Sequence, residues 1–193
     1  MKARIALNYK QLPIEKIPVS PQDRAEVLRV SGQPCAPVLV HGDHVIFYSG
    51  SILRYLDANS RRTPSLFSSD SATLGEMEEW ELFVRHDLAK PVQSIFRQFL
   101  AEKKDPSEPG RASMFLNDLT GRIEDVLAKR KWRVGDTMTA ADVSAAPFVF
   151  YGMLPPGADA ASIPRFFSER LMLGENRGST RDWVTRVMFY DRP

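Results

Sequence analysis

The sequence predicts a small α/β unit followed by an all-helical one, and three observations carry that prediction. Its first sixty residues alternate strand-like and helix-like pieces. Residues 60–70, SRRTPSLFSSD, are polar and turn-rich. Beyond them, apolar residues recur at spacings of three and four, the period of a helix face. The expected division is therefore residues 1–60 and 70–193, an α/β plus all-α architecture.

In chain order, KARIALNYK (Lys2 to Lys10) reads as a short helix closed by Leu12-Pro13. IEKIPV (Ile14 to Val19) reads as a strand, placed at a sheet edge because Pro18 cannot donate to a ladder. Ser20-Pro21-Gln22-Asp23 has the pattern of a helix start, and Gly32 of its stop. In CAPVLVHGDHVIFYSGS (Cys35 to Ser51), two β-branched runs, Pro37 to Val40 and His44 to Phe47, flank a His-Gly-Asp turn and lead to Ser49. The following SILRYLDAN places Ile52, Leu53 and Leu56 on one helix face.

Leu74, Met77, Trp80, Val84 and Leu88 form the stripe of a helix that Pro91 should kink or end, with Ile95, Phe96 and Phe99 in the next stretch. EKKDPSEPG (Glu102 to Gly110) is expected as a loop, and Phe115, Leu119, Ile123, Val126 and Leu127 as the following stripe. Thr139-Ala-Ala-Asp142 is a capping box that opens an apolar helix towards Tyr151, with a kink expected at Pro147. Trp183, Val184 and Val187 mark a last helix.

Composition narrows the function classes. The chain has 193 residues, 43% of them hydrophobic, and a formal net charge of +2. That charge, with arginines spread along the chain, argues against nucleic acid or an anionic membrane as partner. One cysteine cannot close an internal disulfide, which suits a reducing compartment. The polar start is no secretory signal, and no apolar run reaches membrane-spanning length. His41 and His44 lack metal-ligand spacing and are expected to be solvated, so no metal is expected.

Two segments, APVLVHGDHVIFYSGSILRYLD (36–57) and RVGDTMTAADVSAAPF (133–148), resemble the cytosolic glutathione transferases in content, order and separation. The resemblance spans nearly the whole chain. It implies a thioredoxin-like domain, a short linker and a helical domain, in a cytoplasmic homodimer that binds glutathione as substrate and conjugates it to, or uses it to reduce, a small electrophile in detoxification. By this resemblance Pro37 follows a cis peptide bond, and the Ala36 backbone pairs with the cysteinyl part of glutathione like an added strand. Ser49 then caps a helix start that takes the γ-glutamyl carboxylate. The second segment matches the family's buried capping box, a folding element.

Two departures shape the expectation. The residue before the helix-start serine is Tyr48, where the family has an acid or a glutamine, so weaker or differently arranged glutathione binding is expected. The chain also begins inside the family's first helix. The strand and turn carrying the nucleophile-activating residue are expected upstream, the alternative being a rebuilt sheet, and the catalytic residue is left unassigned. A co-substrate pocket is expected at Phe83 and His86, with Trp80 a weaker candidate, and Lys2 and Arg4 could neighbour the tripeptide. Two other readings stay open: a non-catalytic binding or assembly module on the same fold, and a redox enzyme using Cys35.

Overall fold

In the computed structural model, residues 1–20, 23–60, 64–155 and 162–192 are described. The sheet is one antiparallel hairpin, β1 (Val38–His41) and β2 (His44–Phe47), in the register Val38↔Phe47 to His41↔His44. The turn is the two-residue Gly42-Asp43, with Gly42 at φ 58, rather than His-Gly-Asp. Residues 14–19 form no strand. Pro18 removes a ladder donor, and Glu15 to Pro18 lie exposed along the surface.

Helix α1 (Lys2–Tyr9) buries Ile5, Ala6 and Leu7, and α3 (Ser49–Asn59) buries Ile52, Leu53 and Leu56. Helix α2 (Ala25–Ser31) begins later than Ser20 suggests: Asp23 accepts the Ala25 N–H at 2.9 Å, while Pro21 and Gln22 lie outside the described residues. Gly32 ends α2 in the left-handed conformation, as expected.

The helical part opens with α4 (Ser71–Phe83), capped by Asp70, which accepts from the Thr73 N–H at 2.8 Å. A π turn (Val84–Leu88) then runs into α5 (Ala89–Leu100). Pro91 therefore does not end the helix. Its ring would clash with the carbonyl of Asp87, and that residue lies in the wider π turn, where the ladder already opens. Glu108, Pro109 and Gly110, expected in a loop, form the first turn of α6 (Glu108–Leu127), where a proline costs no ladder bond. The buried face of α6 is Ala112, Leu116, Thr120, Ile123 and Leu127. Phe115 is shifted off that face by one position and lies at its edge. Helix α7 (Ala140–Phe150) contains Pro147 and is followed by a 3₁₀ turn (Tyr151–Met153). Helices α8 (Ser162–Ser168), which the sequence reading missed, and α9 (Gly178–Met188) complete the chain.

Two carboxylates tie these parts together. Asp57, near the end of α3, pairs with the buried Lys10 ammonium at 2.7 Å and accepts the N–H groups of Leu66 at 2.8 Å and Phe67 at 3.2 Å. Leu66 was expected in a polar linker, yet it is fully buried, and its carbonyl accepts the Ala140 N–H at 2.8 Å. Residues 61–63 of that stretch lie outside the described residues. Asp142 completes the capping box with Thr139 and also accepts the Arg133 N–H at 2.9 Å and the Trp183 indole N–H at 2.8 Å.

Asp142→Ala removes a helix cap and strands buried donors on Arg133, Thr139 and Trp183. It should lower stability by about 3–5 kcal/mol in urea unfolding, given about 1–3 kcal/mol for each unsatisfied buried donor. For Asp57, burial opposes ionisation, but the Leu66 N–H, the Lys10 ammonium and the Ser65 hydroxyl together hold its pKa below the ordinary carboxylate value. A depressed folded-state pKa contributes stability above the unfolded pKa and loses it as pH falls through the folded one. The stability gap between the wild type and Asp57→Asn should therefore be widest near neutrality and should shrink as pH falls through and below the ordinary aspartate value.

Candidate functional site

The hairpin is built to end at a helix start. The Ala36–Pro37 bond is cis, and Pro37 leads directly into β1. Leu39 and Ile46, paired across the hairpin, pack against the core, while Val40 and Val45 face solvent. At the end of β2 the chain turns through Tyr48, which has φ 63 and ψ 127. A bulky residue in this region stores about 1–3 kcal/mol of strain, held by the surrounding structure.

Tyr48, not Ser49, is therefore the residue that caps α3. Ser49 is the first helical residue, half-buried, and no side chain caps the first turn. The strained turn explains the difference, because it brings Ser49 into helical conformation one residue early. The opening N–H groups of α3 have no intrahelical acceptor and point along its axis with the positive end of the helix dipole. The Tyr48 side chain is 63% exposed, its ring 5.1 Å from that of Phe47.

One residue near this point went unnoticed in the sequence. Arg54, one turn into α3, folds back so that its Nη1 lies 3.6 Å from where a Cβ on Gly50 would stand. It is held there by Glu81 of α4 at 2.6 Å and lies 4.8 Å from the Phe67 ring. A cation thus flanks the open start of α3. The i, i+4 spacing of Gly50 and Arg54 was visible, but the anchor in α4 was not.

Lys2 and Arg4 separate. Arg4 forms a two-pronged pair with Asp191, at 2.8 and 2.9 Å, which commits it to the C-terminal segment. Lys2 turns inward, its ammonium 4.5 Å above the Phe148 ring of α7. Burial pulls its pKa down to about 8, with Glu81 opposing the shift and Arg85 adding to it.

Cys35 is exposed, and its backbone N–H and carbonyl bond only the Gln33 side chain, at 2.7 and 2.8 Å. His41 contacts the Tyr55 hydroxyl at 2.8 Å, and His44 is exposed beside the same ring. Trp80 carries the Arg133 guanidinium 3.1 Å above its ring. Phe83 packs edge-on against Trp80 and lies 5.3 Å from the Arg122 guanidinium of α6, and His86 is exposed on the π turn. The structure thus brings Ala36, Pro37, Tyr48 and Ser49 onto one continuous segment, while Phe83 and His86 sit on another element.

An apolar cavity of about 490 Å³ opens instead between α5, α7, the 3₁₀ turn and α8. It is lined by Val92, Gln93, Phe96, Arg97, Phe148, Tyr151, Ile163 and Phe167. Among the described residues no cluster of His, Cys, Asp or Glu could hold a metal ion, and no helix is long and apolar enough to cross a membrane.

Comparison with known proteins converges on one family. Residues 1–64 match the family described as Glutathione S-transferase, N-terminal domain. The chain is 28% identical over 142 residues to glutathione S-transferase F10 of Arabidopsis thaliana, a match covering 70% of this chain and 66% of that protein, just under two thirds of its length. Its fold is shared with the glutathione transferase URE2P8 of Phanerochaete chrysosporium, solved with oxidised glutathione, at TM-score 0.77 and 19% identity over 100% of this chain and 84% of that one. A glutathione S-transferase of Rhodospirillum rubrum gives TM-score 0.78 and 21% identity, over 100% and 83% of the two chains. Residues 1–64 are therefore similar to the N-terminal domain of the glutathione S-transferases, and the fold is the one that these solved transferases share.

Proposed function

We propose that the protein binds reduced glutathione along its hairpin and presents the thiol to a small electrophile, acting in detoxification as a cytoplasmic homodimer. Residues 1–60 serve in this reading as the glutathione domain and 70–193 as the helical domain. The observation that carries it is the α3 start. The strained Tyr48 turn delivers Ser49 and a set of open N–H groups to a point flanked by Arg54, and that arrangement suits a carboxylate. The γ-glutamyl carboxylate is assigned there, with Tyr48 offering one hydroxyl. The backbone of Ala36, ahead of Pro37, pairs with the cysteinyl part as an added strand would.

The chemistry this requires is a thiolate near neutral pH, since the thiolate and not the thiol is the nucleophile. Positive potential favours it, and the start of α1 supplies Lys2 together with its own open N–H groups. The thiolate, its proton having left to solvent, then bonds to the electrophilic carbon, as halide leaves from an aryl halide or as the electron pair of an activated double bond takes a proton from solvent. His86, exposed on the π turn, and the neighbouring Phe83 are assigned to the co-substrate side.

A second reading is favoured by Tyr48. An exposed phenol brings no charge to meet an ammonium group, as expected of a binding or assembly module that no longer turns over glutathione.

Calorimetric titration with reduced glutathione should show saturable one-to-one binding. Ser49→Ala should weaken it by about tenfold or more, the worth of one hydrogen bond to a charged group. No binding up to millimolar ligand would overturn the proposal in favour of the module. Cys35→Ala should retain the wild-type rate with a generic aryl halide, because Cys35 is exposed and, among the described residues, its thiol has no hydrogen-bond partner. Loss of that rate would instead identify a cysteine-dependent enzyme.

A further inference from the structure

An ion taken out of water loses hydration that apolar packing does not return, so buried charges are normally paired and hydrogen-bonded. Arg133, in the segment between α6 and α7, departs from that pattern. Its side chain is fully enclosed, and among the described residues Nε, Nη1 and Nη2 all lack a hydrogen-bond partner. Its backbone N–H is fixed on Asp142 at 2.9 Å, and its guanidinium stacks 3.1 Å above the Trp80 ring. A ring covers only the face of a guanidinium. The N–H donors point outward in its plane, so the stack leaves the forked edge free.

The surroundings are positive. Burial has the largest effect on the Arg133 pKa, and Arg130 and Arg122 lower it further, against the opposing pull of Asp142 and Glu76. Both of those carboxylates are committed elsewhere. Asp142 accepts the N–H groups of Arg133 and Thr139, the Thr139 hydroxyl and the Trp183 indole N–H. Glu76 is held by Arg130 at 2.6 Å. Arg122, exposed on α6, lies 5.3 Å from the Phe83 ring and forms no ion pair or hydrogen bond among the described residues. Trp80 and Phe83 themselves touch edge-on, one turn apart on α4. Two guanidinium groups with free donors, one enclosed and one exposed, therefore stand over two adjoining rings.

We propose that Arg133 and Arg122 hold a small oxyanion of the phosphate type between α4 and α6, Arg133 presenting its forked edge from the core and Arg122 closing the site from solvent. The edge of a guanidinium matches two oxygens of such a group, and a doubly charged anion offsets both cations. The site uses none of the residues assigned to glutathione and stands independently of that reading.

The test omits glutathione. Calorimetric titration with inorganic phosphate near neutral pH, at an ionic strength held constant with chloride, should give saturable one-to-one binding. Arg133→Met keeps an apolar stem on Trp80 and removes the buried charge. It should weaken phosphate by at least tenfold with the far-UV circular dichroism intact, and the rise of the thermal midpoint with phosphate seen in the wild type should vanish. Arg122→Gln, at an exposed position where the fold is not at stake, should weaken phosphate by about tenfold, the loss of one charge-assisted contact. Absence of saturable binding up to tens of millimolar phosphate would overturn the proposal. So would wild-type affinity in either variant, or displacement of phosphate by an equal concentration of chloride.

Discussion

The structure depends on how one buried leucine is held. Leu66 sits in a stretch of polar, turn-forming residues, yet it is enclosed in the core, and an enclosed backbone must have its N–H and carbonyl satisfied. Asp57 takes the N–H and the first residue of α7 donates to the carbonyl. The same carboxylate neutralises Lys10 at the end of α1. One side chain thus fixes α1, α3 and the connecting segment together and passes that position directly to the capping box of α7. From there Asp142 extends the connection to Arg133 and to Trp183 in α9.

The placement of the candidate site follows from this frame. The start of α3 can hold a strained Tyr48 because both ends of the helix are anchored, the far end through Asp57 and the near turn through the Arg54–Glu81 pair. Strain at a single bulky residue persists only where its neighbours over-determine the backbone. Here the hairpin register on one side and the buried face of α3 on the other do so. The outcome is an open helix start at the surface, beside a cation paired with Glu81.

The helical part shows the reverse use of charge. The Arg133 guanidinium is fully buried, its pKa pulled down to about 9 by desolvation, and none of its nitrogens has a hydrogen-bond partner among the described residues. It lies instead on the face of Trp80, with Trp183 5.7 Å away. Ring quadrupoles recover part of the lost hydration of such a cation. Trp80 is therefore a structural partner of Arg133, which explains why an aromatic at helical spacing does not mark a pocket.

The sequence by itself determined whatever rests on local periodicity or on a short motif: the hairpin, the faces of α3 and α9, the Thr139–Asp142 box, Gly32 as a helix stop, and the segment from Ala36 to Ser49. These are legible because their bonds join residues a few positions apart. Tertiary structure alone decided the rest. The Leu66 burial, the Lys10–Asp57 and Arg54–Glu81 pairs, the inward turn of Lys2 and the aromatic cavity all join residues far apart in the chain. A lysine or arginine looks solvated until an element from elsewhere supplies its partner, and a leucine in a polar stretch looks exposed until two distant groups satisfy its backbone. The strand expected at Ile14 to Val19 failed for the same reason, since a strand exists only where a neighbour offers a ladder.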